Sequence, residues 1–279
     1  MANQVLKLYG NVYITEDIIH NKIFMKGLEQ TGMIKVDSID EIPDGSVVMF
    51  SAHGVSPQII DKAEKKELTI IEATCPIVKS IQNEVKKEAE AGKKIIIIGN
   101  RAHAEIVALL GCANNKNVFV VYNEMDIDLL PDFSNDEVVY FTQTTLDCSR
   151  VEDVIKRLKA KISNINSNAQ NNVCYATRER QEAVRRIASS VDLLIVVGSA
   201  HSSNAKRLSE VALNSGAKKS ILIDSKDELI ESDFDGVQSI AITSAASTPD
   251  ELVNELVEFL REKFDLIVED FKIQDDSGK

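Results

Sequence analysis

Three of the four histidines, His53, His103 and His201, each follow a short apolar run closely. The segments read VVMF-SAHG-VS (47–56), IIII-GNRAHAE (95–105) and LIVV-GSAHSSN (193–204). One loop histidine alone is ordinarily a partner for nearby backbone. Three in equivalent places suit an anion such as phosphate, or a metal ion. Glu105 stands two residues after His103, where a helix is expected to begin. A carboxylate there is favoured by the helix dipole, and with partial burial it becomes a proton donor. The hydroxyl clusters Thr142–Thr145, Ser202–Asn204 and Ser247–Thr248 also follow apolar runs. Each can cap a helix, or present hydroxyl and backbone N–H groups to a phosphate at a helix N-terminus. There is no P-loop and no G-x-G-x-x-G, so nucleotide binding has no motif behind it. Cys75 lies in EATCP and Cys174 in NNVCYAT; with Cys112 and Cys148 they are scattered, without a C-x-x-C pair. Spacing alone reads them as four separate thiols, and an iron–sulfur cluster would have to draw thiolates from distant segments.

The elements that must position these groups alternate along the chain. Strands are expected at 12–15, 47–50, 69–72, 95–98, 118–122, 138–141, 193–197, 221–224 and 240–243, all short and mostly β-branched. Helices are expected at 77–91, 151–162, 179–189, 203–215 and 250–264. Residues 77, 78, 81 and 85 of the first form an apolar stripe, and Gly92 ends it. Such alternation predicts α/β architecture with mostly parallel sheets. The three histidine loops then share the C-terminal sheet edge, where ligands bind. The Asn-rich stretch Ser163–Asn172 reads as a linker or surface loop, and Gln274–Lys279 as a frayed tail.

Composition narrows the partners. The 279 residues are 44% hydrophobic and 27% charged, enough apolar material for a sizeable core. A net charge of −12 disfavours a phosphate backbone, so nucleic acid is not expected, but a small anion in a local pocket is compatible. No apolar run approaches the ~20 residues of a membrane helix, and MANQVLKLYG lacks a signal-peptide layout. The expectation is a cytoplasmic protein without structural disulfides.

Taken together, FSAHGVS (50–56), EATCP (72–76), FTQTTL (141–146), CYATRERQEAV (174–184), VVGSAHSSNAKRL (196–208) and AASTPD (245–250) closely resemble the 4-hydroxy-3-methylbut-2-enyl diphosphate reductase family. The likeness runs in consistent order from about Leu6 to about Phe264. It implies a trefoil of three α/β units around a central cluster and substrate cavity. The units would span 1–75, 76–173 and 174–247, with 248–279 packing back on the first. It implies a 4Fe–4S cluster, with Cys75 and Cys174 matching two of its ligands. It implies that His20, His53 and His103, with Ser202, Ser203, Asn204 and Ser247, surround the substrate diphosphate. Thr144 would lie beside the substrate hydroxyl and Glu105 in its proton relay. The reaction would be reductive dehydroxylation to isopentenyl and dimethylallyl diphosphate, with ferredoxin or flavodoxin as electron donor. His201 matches no family role and is expected on a surface loop.

Two departures stand out. The family reads H-P-E where this chain has His103-Ala104-Glu105. The family also opens with a strand and a loop of the P-R-G-F-C-A-G type carrying the first cluster cysteine, and nothing like it is present. Neither Cys112 nor Cys148 matches a ligand position, although Cys148 lies near Thr144. The expectation is therefore a first unit that lacks a strand, an exposed sheet edge, and a weakly held cluster. A degenerate copy that binds diphosphate without turnover is the alternative. An unrelated α/β phosphate-binding isomerase is a further one, which iron and sulfide content would separate.

Overall fold

The computed structural model describes residues 1–114, 117–167, 173–264 and 267–271. It divides into two compact units: 1–19 with 25–174, and 20–24 with 175–279.

The first unit holds two parallel sheets. Strands β1 (Val12–Ile14), β2 (Met33–Lys35), β3 (Val47–Phe50) and β4 (Thr69–Glu72) pair in the order β2-β1-β3-β4. Strands β5 (Lys94–Ile98), β6 (Val118–Val121), β7 (Val138–Thr142) and β8 (Ile165–Ser167) repeat that order as β6-β5-β7-β8. The helices in chain order are α1 (Ala2–Tyr9), α2 (Lys22–Gln30), α3 (Pro57–Lys65), α4 (Pro76–Glu90), α5 (Ala104–Cys112), α6 (Glu124–Asp128) and α7 (Cys148–Lys161). Only the start of α2 falls in the second unit. Strand β5 shows why an unbroken isoleucine run becomes a central strand. Ile96 and Ile98 pack with Val151, Val154 and Leu158 of α7. Ile95 and Ile97 point the other way, onto Ile81 and Val85 of α4 and Ile106 and Leu109 of α5. A strand covered on both faces has no polar side to alternate with.

The second unit holds strands β9 (Leu193–Val197), β10 (Lys219–Ile223) and β11 (Ile240–Ser244), ordered β10-β9-β11, with α8 (Tyr175–Ile187), α9 (Ser203–Asn214) and α10 (Asp250–Phe264). Leu194 and Val196 face α8 and α9 through Val184 and Leu208. Leu193, Ile195 and Val197 face Leu256 and Leu260 of α10.

The α/β class and three parallel sheets are as expected. Several finer expectations are corrected. The sheet formed by residues 12–72 has four strands. The three-stranded sheet is the third: β11 takes the place that β3 and β7 hold, and no strand lies beyond it among the described residues. Helix α10, expected to pack back on the first unit, places its two buried leucines on the third sheet. Its apolar stripe covers the face of β9 that α8 and α9 leave open. The stretch Ser163–Asn172, expected as a loop, contains β8, which pairs with β7 through Ile165–Ser167. Residues 168–172 and the expected tail Gln274–Lys279 lie outside the described residues.

Gly111 sits inside α5, where glycine is ordinarily unfavourable. A Cβ there would stand 2.3 Å from Ser56 Cβ, at the N-cap of α3. Gln58 Nε2 crosses the same gap and donates to the Gly111 carbonyl at 3.1 Å. The bare backbone thus lets α5 approach α3. Gly111→Ala is expected to destabilise the fold by about 1–3 kcal/mol despite alanine's better helix propensity. An unchanged denaturant midpoint would show that α3 yields freely.

Candidate functional site

In the first unit, chemistry-bearing side chains collect on loops that leave the C-terminal ends of β3, β4, β5 and β7. Glu105 is the second residue of α5 and only 1% exposed. Its Oε1 accepts from the Thr144 backbone N–H at 2.8 Å, and its Oε2 accepts from Thr144 Oγ1 at 2.8 Å. Burial pushes its carboxyl up to about 7, against the two Thr144 bonds, which pull it down. It therefore exchanges a proton near neutrality.

His103 caps α5. Its Nδ1 accepts from the Glu105 N–H at 3.2 Å, so a proton on the neutral ring must sit on Nε2. His53 meets it edge to face, with ring centroids 5.2 Å apart. Ser51 Oγ stands 3.4 Å from His53 Nδ1. Two imidazoles this close offer ring N–H donors to one place, which suits an anion.

The missed residue is Gln143, fully buried between the two functional loops. Its Oε1 accepts from Asn100 N–H at 3.0 Å, and its Nε2 donates to Thr145 Oγ1 at 2.9 Å. It ties the loop that carries His103 to the loop that carries Thr144. The only sequence signal was its place inside the hydroxyl cluster 142–145. Thr142 Oγ1, also buried, has no protein partner among the described residues.

None of the four cysteines is in a disulfide. Cys75 and Cys174 are half-buried, and each is pinned by its backbone to a loop of the site. Cys75 N–H donates to Ala52 O at 3.0 Å, and Cys174 N–H to Thr144 O at 3.0 Å. Burial pushes the Cys112 thiol up to about 11, so it stays protonated. Cys75 and Cys174 are thus thiols held at loops of the site, of the kind that can ligate iron, and Cys112 lies inside the apolar core. Cys148 is half-buried at the first turn of α7.

In the second unit, Ser202 caps α9, its Oγ accepting from Ala205 N–H at 3.3 Å. Asn204 is 5% exposed, and neither its Oδ1 nor its Nδ2 has a protein partner among the described residues. A buried amide with both ends unsatisfied is rare and marks a ligand or water seat. Ser203 and Ser247 are half-buried, in the segments that follow β9 and β11. A Cβ on Gly198 would meet Ala205 Cβ at 2.9 Å and Ala245 Cβ at 3.0 Å, so glycine lets the two loops close on the end of β9. His20 also belongs to this unit, half-buried just before α2. His201 is exposed.

A cleft of about 320 Å³ lies away from these loops, lined by Leu130–Ser134 and Lys161–Asn164. It precedes β7 and β8, at the opposite edge of the second sheet. The Lys161 ammonium there is already held by the carbonyls of Ile127, Asp128 and Leu130.

The LytB protein family matches this chain over residues 1–261. A 4-hydroxy-3-methylbut-2-enyl diphosphate reductase of Actinobacillus pleuropneumoniae serotype 3 (strain JL03) is 39% identical over 259 residues, covering 92% of this chain and 82% of the relative. One from Tropheryma whipplei (strain TW08/27) is 41% identical over 249 residues, covering 89% and 79%. The solved E-1-hydroxy-2-methyl-but-2-enyl-4-diphosphate reductase of Plasmodium falciparum superposes with a TM-score of 0.89 at 36% identity, over 93% of this chain and 81% of that one. A second solved structure, of (E)-4-hydroxy-3-methyl-but-2-enyl diphosphate reductase, the terminal enzyme of the non-mevalonate pathway, gives 0.66 at 28% identity, over 94% and 92%. Among the described residues no helix is long and apolar enough to cross a membrane. With its histidine, threonine and glutamate loops on parallel sheets of this order, the chain belongs to the LytB protein family.

Proposed function

We propose that this chain reduces 4-hydroxy-3-methylbut-2-enyl diphosphate to isopentenyl and dimethylallyl diphosphate. The balance is one substrate, two electrons and two protons in, and one diphosphate product and one water out. The observation that carries the reading is the buried Glu105–Thr144 pair, a carboxyl near pH 7 bonded to a hydroxyl at 2.8 Å.

Each unit offers donors of the kind a diphosphate needs. In the first these are His53 and His103. In the second they are His20, Ser202, Ser203, Asn204 and Ser247. Imidazole, hydroxyl and amide donors at helix N-termini bind phosphate oxygens without a large basic surface. Thr144 Oγ1 is the atom assigned to the substrate hydroxyl. Protonated Glu105 donates from Oε2 to Thr144 Oγ1, and the threonine hydroxyl passes its own proton to the departing oxygen. Glu105 then reloads from solvent-connected groups. Burial keeps the carboxyl protonated at a pH where an exposed glutamate would be ionised. Cys75 and Cys174 would hold an iron–sulfur cluster of the 4Fe–4S type, which supplies electrons and a Lewis acid for the hydroxyl oxygen. The electron source is a small carrier of the ferredoxin or flavodoxin kind, and the setting is the cytoplasm.

The test is anaerobic reconstitution of the whole chain, a count of iron and sulfide, and turnover with reduced donor and the allylic diphosphate. Diphosphate binding without turnover in the loaded protein would favour a binding protein instead. That second reading rests on Cys75 and Cys174 being the two cysteines that match cluster positions.

The histidines are expected to serve the diphosphate and not iron. Substituting His20, His53 or His103 by Asn should raise KM and leave the cluster absorbance intact, since thiolates suit iron while the polyanion needs donors. Loss of iron from the His53 or His103 variant would overturn that assignment.

A further inference from the structure

We propose that Asp224 is a positioning residue that holds the His20–Lys22 segment in the second unit, so that His20 stands ready for an anionic substrate. The inference rests on the diphosphate reading above and names a residue that reading does not use.

Asp224 follows β10 directly. The pairing of Ile223 with Val197 brings it level with Gly198, beside the polar loop that leads to Ser202 and Asn204. It is 9% exposed, yet its carboxylate is poorly satisfied by its own unit. Its backbone N–H is spent on Glu228 Oε2 at 3.0 Å. Oδ2 reaches Lys22 Nζ only at 3.8 Å, and Oδ1 has no protein partner among the described residues. A buried carboxylate left in that state is costly, so it is retained for what it faces.

The segment next to it carries the complementary defect. Asn21 is 2% exposed, and its Oδ1 caps α2 by accepting from Phe24 N–H at 2.8 Å. That cap fixes the amide, and its Nδ2 is then buried without a protein partner among the described residues. One short segment thus offers an ammonium, from Lys22, and an unspent buried amide, from Asn21. Asp224 offers an unspent buried carboxylate oxygen. Residues 20–24 belong to the second unit, and the Lys22–Asp224 ion pair is a tie that fixes this segment there. His20 is bonded covalently to Asn21, so the backbone from which its ring projects is set by how Asn21 and Lys22 are held.

The test uses the whole chain and inorganic pyrophosphate as probe. Asp224→Asn keeps the shape and removes the charge. It should weaken pyrophosphate about fivefold, the scale of one hydrogen bond. In the loaded enzyme it should raise KM with kcat held within about twofold, as loss of a binding group does. Lys22→Met should act in the same direction, with a smaller effect. In a His20→Asn background the effect of Asp224→Asn should vanish, because a residue acting through another loses its role with it. An equal loss in both backgrounds would overturn the proposal. So would unchanged His20 ring resonances on going from wild type to Asp224→Asn. Those resonances, in a chain with four histidines, report positioning even if pyrophosphate does not bind. Absent binding with shifted His20 resonances would therefore sink the diphosphate reading and leave the positioning role standing.

Discussion

Glu105→Gln is expected to cut turnover of the loaded enzyme by at least about 10²-fold, the usual scale for loss of a general acid. The same substitution is expected to stabilise the fold above neutral pH, and the two effects share one cause. The carboxyl lies almost fully buried, and desolvation raises it from 4.5 to about 7. A group whose folded pKa exceeds its unfolded value supports the fold below the unfolded value, and that support fades as pH rises through the folded one. Wild type and Glu105→Gln should therefore be similar at about pH 4. They should diverge between about 4.5 and 7, with the glutamine variant ahead by up to about 3 kcal/mol beyond it. Glutamine keeps the size and can still accept from Thr144 N–H while donating to Thr144 Oγ1. The lost activity would then not trace to a lost fold. Diphosphate affinity should stay near wild type. Stability curves that run parallel across pH would show that the carboxyl is not strained by burial. Near-normal turnover would remove Glu105 from the proton path.

The pairing behind that prediction was half legible in the sequence. Glu105 and Thr144 each follow an apolar strand, and strands of a parallel sheet deliver their loops to one edge. Their 2.8 Å contact needed β5 and β7 to be neighbours, which the structure alone supplies. Central strands such as Ile95–Ile98 and Leu193–Val197 read clearly, because burial on both faces demands unbroken apolar runs. Two of the edge strands, β2 and β8, did not. Met33–Lys35 and Ile165–Ser167 are three residues each, too short for a period of two to show. Helix α10 was legible as a helix, but its target was not, since an apolar stripe does not name the sheet it covers. Gln143 and Asp224 were invisible for another reason. Their importance lies in hydrogen bonds made or left open at a distance in sequence, and composition carries no trace of that.

Cysteine chemistry gives the second large effect. Cys75→Ser or Cys174→Ser should each remove most of the iron and sulfide from the reconstituted protein, and turnover with them. Cys112→Ala should leave the metal content unchanged. The distinction is physical. A thiol must ionise to bind iron, and burial holds Cys112 near 11 inside the apolar cluster with Ile97, Leu109 and Phe141. Cys75 and Cys174 are half-buried at loop ends, and their backbones are tied to Ala52 and Thr144. Losing either sulfur should therefore leave the loop in place and the metal unheld. A check independent of iron is available in the metal-free protein. Iodoacetamide at pH 8 should label Cys75 and Cys174 well before Cys112, because only an accessible thiolate reacts. Cys148→Ala then tests the remaining thiol. It is half-buried at the start of α7, four residues after Thr144, where a helix N-terminus favours a thiolate. Iron that survives Cys148→Ala but not Cys174→Ser would confine the protein's ligands to the two site loops. Iron lost on Cys148→Ala would mean that Cys148 supplies a further sulfur to the metal.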